Sequence, residues 1–268
     1  MTTAVAPRAA RIPAAEAVSL ALAVALVGTA IAYPLTTGTG RDAVSWAIVV
    51  LGAVLSVVHA ALSRGARSAV AMLVLVLVTA VAVEALGLAT GFPYGEYSYS
   101  DSLGPTLLGV PFLVPLAWLM MAWPSWLLAD RLVRRRPARI AVAAAIFAGW
   151  DVVLDPQMVQ AGYWTWAHPT PGLPGIDTVP LTNLAGWLLA GAVLMTALDA
   201  VVARTSAAGA PRIGPAAPLL VIGWMTLGGA LAHAGWLGLP GSAAWGAALG
   251  LLVLVTLAVQ RRAARERR

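Results

Sequence analysis

Apolar residues dominate this chain in long runs, broken at intervals by short segments rich in glycine, proline and arginine. A run needs about 20 such residues to cross the hydrocarbon core of a bilayer. Eight come close, at about 16–33, 43–62, 68–90, 106–128, 138–155, 181–203, 215–236 and 242–260. The pattern predicts an all-α fold: a single polytopic membrane domain over residues 1–268, built as a bundle of eight transmembrane helices. Nothing in the spacing suggests a soluble domain, a long linker or a repeat of fixed period.

The charged positions sharpen that division. All 17 basic residues are arginine. With the N-terminus in the cytoplasm, the inner segments carry Arg8 and Arg11, then Arg64 and Arg67, then Arg131, Arg134, Arg135, Arg136 and Arg139, then Arg204 and Arg212. The basic tail 261–268 adds Arg261, Arg262, Arg265, Arg267 and Arg268, whereas the outer loops hold Arg41 alone. This is the asymmetry of the positive-inside rule, and it places both termini in the cytoplasm. A seven-helix count would break the alternation. The expected location is the plasma membrane, crossed many times. The first run has some features of a signal peptide, with Arg8 and Arg11 ahead of an apolar stretch and Ala30-Ile31-Ala32 as a small-residue site. Seven further spans favour an ordinary first helix.

Composition agrees with this reading and removes some alternatives. The chain is 60% hydrophobic and 10% charged, too little polar surface for a soluble domain. A sequence pI near 10.7 would point to nucleic acid in a soluble protein. Here the arginines sit in the breaks between spans, so the expected partner is the lipid bilayer and no nucleic acid. Cysteine is absent, which excludes disulfides and thiolate metal sites. Three dispersed histidines make no metal signature: His59 and His233 read as packing residues and His168 as a loop residue. Phosphate-binding glycine loops are absent. No metal and no cofactor are expected.

Acids within the spans are few: Glu84, Asp151, Asp155 and Asp199. A mid-membrane carboxylate costs about 2.5–3.5 kcal/mol even on permissive scales, so each needs a reason. Glu84 lies roughly 9 Å below the outer end of the third helix, at 1.5 Å per residue. Asp151 and Asp155 close the fifth helix on its outer side and share one face, four residues apart. Pro156 is expected to end that helix at Asp155. Two carboxylates that close repel, so one of the pair is expected to hold the proton a general acid needs. The plainer alternative is that these acids bind loop backbone at a helix end, which stands level with function for Asp155. Asp199, near the inner end of the sixth helix, reads as structural with Arg204 as its partner.

The longest irregular stretches, 91–105 and 156–180, both fall outside and are too aromatic and proline-rich for free loops. Trp150, Trp164, Trp166, Trp187 and Trp236 lie near the outer boundary, where an aromatic belt is the default explanation. Yet Tyr163, Trp164 and Trp166 share a loop with the point where the acids emerge. Aromatic faces stabilise cations, so an acid-and-aromatic pocket suits carbocation chemistry. Asn183 and Trp187 open the sixth helix on the same side and are candidates for that pocket, although Asn183 is equally a helix-start residue.

The blocks Gly91-Phe92-Pro93-Tyr94-Gly95-Glu96-Tyr97-Ser98-Tyr99, Trp150-Asp151-Val152-Val153-Leu154-Asp155-Pro156, Gly162-Tyr163-Trp164-Thr165-Trp166 and Asn183-Leu184-Ala185-Gly186-Trp187 together resemble the membrane carotenoid hydratases, the bisanhydrobacterioruberin hydratase family. The similarity covers about residues 80–190, where these blocks fall. It implies acid-catalysed addition of water to the terminal carbon–carbon double bond of an acyclic carotenoid, bisanhydrobacterioruberin- or lycopene/γ-carotene-like, giving a tertiary alcohol. Its implied partners are that membrane-embedded carotenoid, water and other enzymes of carotenoid biosynthesis. On this reading Asp151 or Glu84 donates the proton, and Asp155 orients it or accepts a proton from the attacking water. Tyr94, Tyr97, Tyr99, Trp150, Tyr163, Trp164, Trp166, Asn183 and Trp187 are the expected substrate-binding residues. One departure from the family pattern, the longer and more proline-rich loop Pro169–Pro180, bears on which end group is accepted.

Three rivals stand beside hydration. A carotenoid cyclase begins with the same protonation but quenches the cation internally, leaving the mass unchanged. A prenyltransferase would use the Asp151-x-x-x-Asp155 spacing to hold magnesium on a diphosphate, but it wants a second acidic cluster and nearby arginines. A transporter or carotenoid-binding protein would show inverted repeats and broken helices. No internal similarity is visible, and Pro111 and Pro115 are the only strong kink candidates.

Overall fold

The computed structural model describes residues 13–208 and 213–266, excepting the side chains at 261 and 263–265. Arg8, Arg11, Arg212, Arg267, Arg268 and the side chains of Arg261 and Arg265 fall outside the described residues. The described residues contain eight helices long and apolar enough to cross a membrane. They are α1 (Ala14–Ile31), α2 (Gly38–Arg64), α3 (Ala66–Thr90), α4 (Leu113–Leu132), α5 (Arg136–Gln160), α6 (Leu181–Thr205), α7 (Ala216–Leu237) and α8 (Pro240–Glu266). This is the expected all-α polytopic membrane bundle.

Of the eight, α4 is the most buried. It packs on α2, α3 and α5, while α6 closes the ring against α3 and α5. Its start differs from the expected one. The apolar run from 106 suggests helix, but Thr106–Leu107 (β2) and Val110–Pro111 (β3) pair as a small hairpin instead. Its two-residue loop, Leu108-Gly109, has φ of 55° and 80°. Positive φ at both positions is what a type I′ turn requires, and Pro111 removes a donor that a helix would use. Pro111 therefore lies in a strand rather than kinking a helix, and Pro115 lies in the first turn of α4.

The prolines that do sit inside helices are Pro124 in α4 and Pro156 in α5. A proline at position i leaves the carbonyl of residue i−4 without its donor. Here those carbonyls belong to Met120 and Val152. Ser56 of α2 donates to the Met120 carbonyl at 3.1 Å, and Ser242 of α8 donates to that of Val152 at 3.3 Å. Neighbouring helices thus satisfy what each proline frees, the usual way a membrane bundle tolerates such residues. That is why α5 does not stop at Asp155, as the sequence led us to expect, but continues to Gln160.

The ends of the bundle differ. One carries Arg64, Arg67, Arg131, Arg134, Arg135, Arg136, Arg139 and Arg204; the other carries the two long irregular segments, folded into a lid. Gly91, in the left-handed conformation, stops α3 and starts the first segment. Tyr97–Tyr99 (β1) then pairs antiparallel with Trp164–Trp166 (β4) of the second. The proline-rich loop docks on the start of α8, where the Trp245 indole donates to the Pro174 carbonyl at 3.2 Å. Finally, α7 leaves α-helical geometry twice, at Trp224–Gly228 and His233–Leu237, where its turns are π-helical.

Candidate active site

Glu84 of α3, Asp151 and Asp155 of α5 and Asn183 of α6 meet directly beneath the lid, and each is almost wholly buried. The i, i+4 spacing puts the two aspartates on the same face of α5, and the continuation of the helix through Pro156 holds both. Asn183 is the third residue of α6 and points inward rather than capping its own helix. Its Nδ2 donates to Oδ2 of Asp151 and to Oδ2 of Asp155, at 2.7 Å in each case. One amide thereby holds the two carboxylate oxygens no further apart than twice that distance. Asp155 also accepts a hydrogen bond from the Trp164 indole.

The lid supplies the remaining partners. Strand alternation sends Tyr97, Tyr99, Trp164 and Trp166 to the inner face, while Ser98 and Thr165 bond one another outside at 3.2 Å. Tyr97 and Tyr99 both donate to Oε2 of Glu84, at 2.6 and 2.8 Å. Burial, and next the nearby Glu84 carboxylate, push both phenols well above the usual tyrosine range. They therefore stay protonated and act as donors. The lid presses close on the bundle, since a Cβ on Gly186 would lie 2.6 Å from the Tyr94 ring and 2.8 Å from the Pro93 carbonyl. Only glycine fits there.

Around the carboxylates is an aromatic box. The Trp187 ring lies 5.1 Å from Trp118 and from Phe147 and 6.0 Å from Tyr94 and from Trp150, while Trp166 lies 5.0 Å from Tyr97. The cavity measures about 150 Å³ and is lined mainly by apolar and aromatic side chains. Among the described residues, the Tyr94 hydroxyl and the Trp118 and Trp166 indole nitrogens are buried without a hydrogen-bond partner. No described arginine forms an ion pair with Glu84, Asp151 or Asp155.

The cavity brings together Glu84, Tyr94, Tyr97, Tyr99, Trp150, Asp151, Asp155, Trp164, Trp166, Asn183 and Trp187. Tyr163 is not among the lining. Its hydroxyl turns to α2, donating to Asp42 at 2.8 Å beside Ser45, and burial pushes its pKa up to about 12. Trp118, Tyr33 and Gln157 also line the cavity although nothing in the sequence singled them out.

The other sequence candidates lie elsewhere. Asp199 does not pair with Arg204; it accepts from Arg136 at 2.8 Å, from Arg139 at 2.6 Å and from the Trp126 indole at 3.2 Å. Five residues along a helix point to different faces, so Asp199 turns inward and Arg204 outward. His59 is held by Trp123 and the Gly214 carbonyl, and His233 by Ser242 and Gln157. Both are buried packing residues, whereas His168 is an exposed loop residue. Trp236 is 58% exposed on the lipid-facing side, as a belt residue would be.

Comparison with known proteins places the chain in a family. A curated bisanhydrobacterioruberin hydratase from Haloarcula japonica is 36% identical over 132 residues, 47% of this chain and 43% of the relative. The chain thus matches less than half of that relative's length. No solved structure matches. The carotenoid biosynthesis protein family matches residues 44–255, most of the span of the bundle, and the chain belongs to that family.

Proposed function

We propose that this membrane protein hydrates the terminal double bond of an acyclic carotenoid. The observation that carries the reading is the trio of buried carboxylates whose described donors are all neutral, set inside an aromatic box. Such a site offers a proton and stabilises a cation, and no described arginine stands beside it to grip a diphosphate.

Hydrogen-bond counts divide the roles. Asp155 accepts from Asn183 and Trp164, and Glu84 from Tyr97 and Tyr99, whereas Asp151 accepts from Asn183 alone. The carboxylate with the fewest donors is the one that holds the proton. Asp151 then gives that proton to the CH carbon of the terminal alkene, whose π electrons form the new C–H bond. The tertiary cation left behind is stabilised by the faces of Trp164, Trp166, Tyr94 and Trp187 and by the charge on Glu84. Water attacks it, forming the C–O bond, and Asp155 accepts the proton released. The partnerless Tyr94 hydroxyl and Trp166 indole give that water its polar contacts. The sum is one water added, with the single proton of the aspartate pair restored.

The arginine asymmetry supports a cytoplasmic arginine end and an outward-facing lid. Cells that make an acyclic precursor, with and without this protein, provide the test. Pigments heavier by one or two waters are expected. Unchanged mass with a shifted absorption spectrum would replace hydration by cyclisation, and no altered pigment, with the protein present in the membrane, would sink both.

A further inference from the structure

The cavity does not end at the carboxylates. It continues along Leu154 and Gln157 of α5 to a far wall made by Ala30 and Pro34, at the end of α1, and by Met225, Gly228, Gly229 and Ala232 of α7. Burial changes along the way. Glu84, Asp151, Asp155 and Asn183 are all at most 3% exposed, whereas Met225, Gly228, Gly229 and Ala232 are all part-exposed, as are Ala30 and Pro34. The carboxylates themselves are buried, whereas the α1–α7 wall of the cavity reaches the surface of the bundle.

The helices are arranged to leave that opening. α1 packs on α7 through Ala216–Gly223, and Tyr33–Leu35 packs on His233–Leu237. The cavity residues of α7 lie between these two contacts. There α7 passes from one π-helical segment toward the next, and the wider turns shift side chains off the α-helical register. Gly228 and Gly229 at the junction let Trp224 and Val153 pack against the backbone, since a Cβ at these positions would lie 2.6 Å from the Trp224 ring and 2.9 Å from Val153. Residues 228–232 stand about 8–14 Å from the lid end of the 22-residue span of α7 at 1.5 Å per residue, level with Ala30 near the same end of α1. That depth lies within the hydrocarbon core. The flanking Ile31 and Leu231 are 49% and 61% exposed, a rim suited to acyl chains and not to water.

A polyene stem needs an apolar path from the carboxylates to the bilayer, and the α1–α7 wall of the cavity offers one. Resting on the hydratase reading above, we propose that the opening between α1 and α7 is the binding site for the polyene stem of the substrate. One end group lies at Asp151 while the rest of the chain passes between Ala30 and Ala232 into the bilayer. The end group thus enters sideways from the membrane and never crosses the lid.

The test uses the full-length protein purified from membranes of cells making an acyclic carotenoid. Co-purified polyene is measured by its visible absorption per protein, alongside hydration. Ala30→Trp and Ala232→Trp narrow the opening from opposite helices, and Val193→Trp places the same bulk on a lipid-exposed part of α6. Size-exclusion profiles confirm that each variant is folded. Bound polyene is expected to fall about tenfold or more in both opening variants, a loss of about 1.4 kcal/mol or more in binding. Val193→Trp should match the unsubstituted protein. Equal polyene in all four proteins, an equal loss in Val193→Trp, or none in the unsubstituted protein would overturn the site. Hydration persisting while the opening variants bind normally would sink the site and leave the hydratase reading standing. Polyene bound in the expected pattern but never hydrated would do the reverse.

Discussion

Buried carboxylates stand at both ends of this bundle, in opposite surroundings. At the arginine end, Asp199 is fixed by Arg136, Arg139 and the Trp126 indole, and Arg139 reaches on to Asp130 at 3.2 Å. At the lid end, the partners of Glu84, Asp151 and Asp155 among the described residues are tyrosine, tryptophan and asparagine. Burying a charge is costly in either place. At Asp199 two cations offset that cost and the carboxylate serves the fold. At the lid no described cation does so, and on the proposed reading these carboxylates are kept for chemistry.

This contrast can be broken from either side. Asp151→Asn keeps the shape but removes the proton, so hydration should fall by about 10²–10⁴-fold, the usual share of a general acid. The amount of folded protein should stay the same, read as alcohol formed per folded molecule. Asp199→Ala should do the opposite. It removes the acceptor shared by Arg136, Arg139 and the Trp126 indole and should cost about 1–3 kcal/mol of stability, seen as a lower unfolding midpoint in detergent. Activity per folded molecule should hold.

Smaller changes sharpen the same contrast. Tyr99→Phe removes one of the two donors to Glu84; a hydrogen bond to a charged group is worth about 1.5–3 kcal/mol. Activity should drop roughly tenfold or more while the lid stays paired, as read by Trp164 and Trp166 fluorescence. Ser56→Ala leaves the Met120 carbonyl unsatisfied beside Pro124 and should cost about 1 kcal/mol or more, measured by thermal unfolding, with no specific effect on chemistry. Arg204→Ala should change stability by no more than about 0.5 kcal/mol, since Arg204 does not pair with Asp199.

The local features of this fold were legible in the sequence. Apolar runs and the arginines between them yield eight helices, and the spacing of Asp151 and Asp155 yields a shared face. The depth of Glu84 places it on the same level. What stayed hidden depends on contacts distant in sequence. Neither irregular segment by itself reveals that Tyr97–Tyr99 pairs with Trp164–Trp166, because strand register is fixed only when both are present. Asn183 looks like a helix-start residue until α5 is set beside it. Pro156 reads as a helix end because the serine that satisfies the Val152 carbonyl comes from residue 242. Pro124 was passed over for the same kind of reason, and Trp118 was hidden among the apolar residues of the most buried helix.

The central claim is that Asp151 delivers a proton to an alkene and that water completes the alcohol. Purified protein, supplied with an acyclic carotenoid in ¹⁸O-labelled water, tests it directly. The account predicts a tertiary alcohol carrying the label with the unsubstituted protein, and almost none with Asp151→Asn at equal folded concentration. An unlabelled product, or equal labelled product from both proteins, would contradict it.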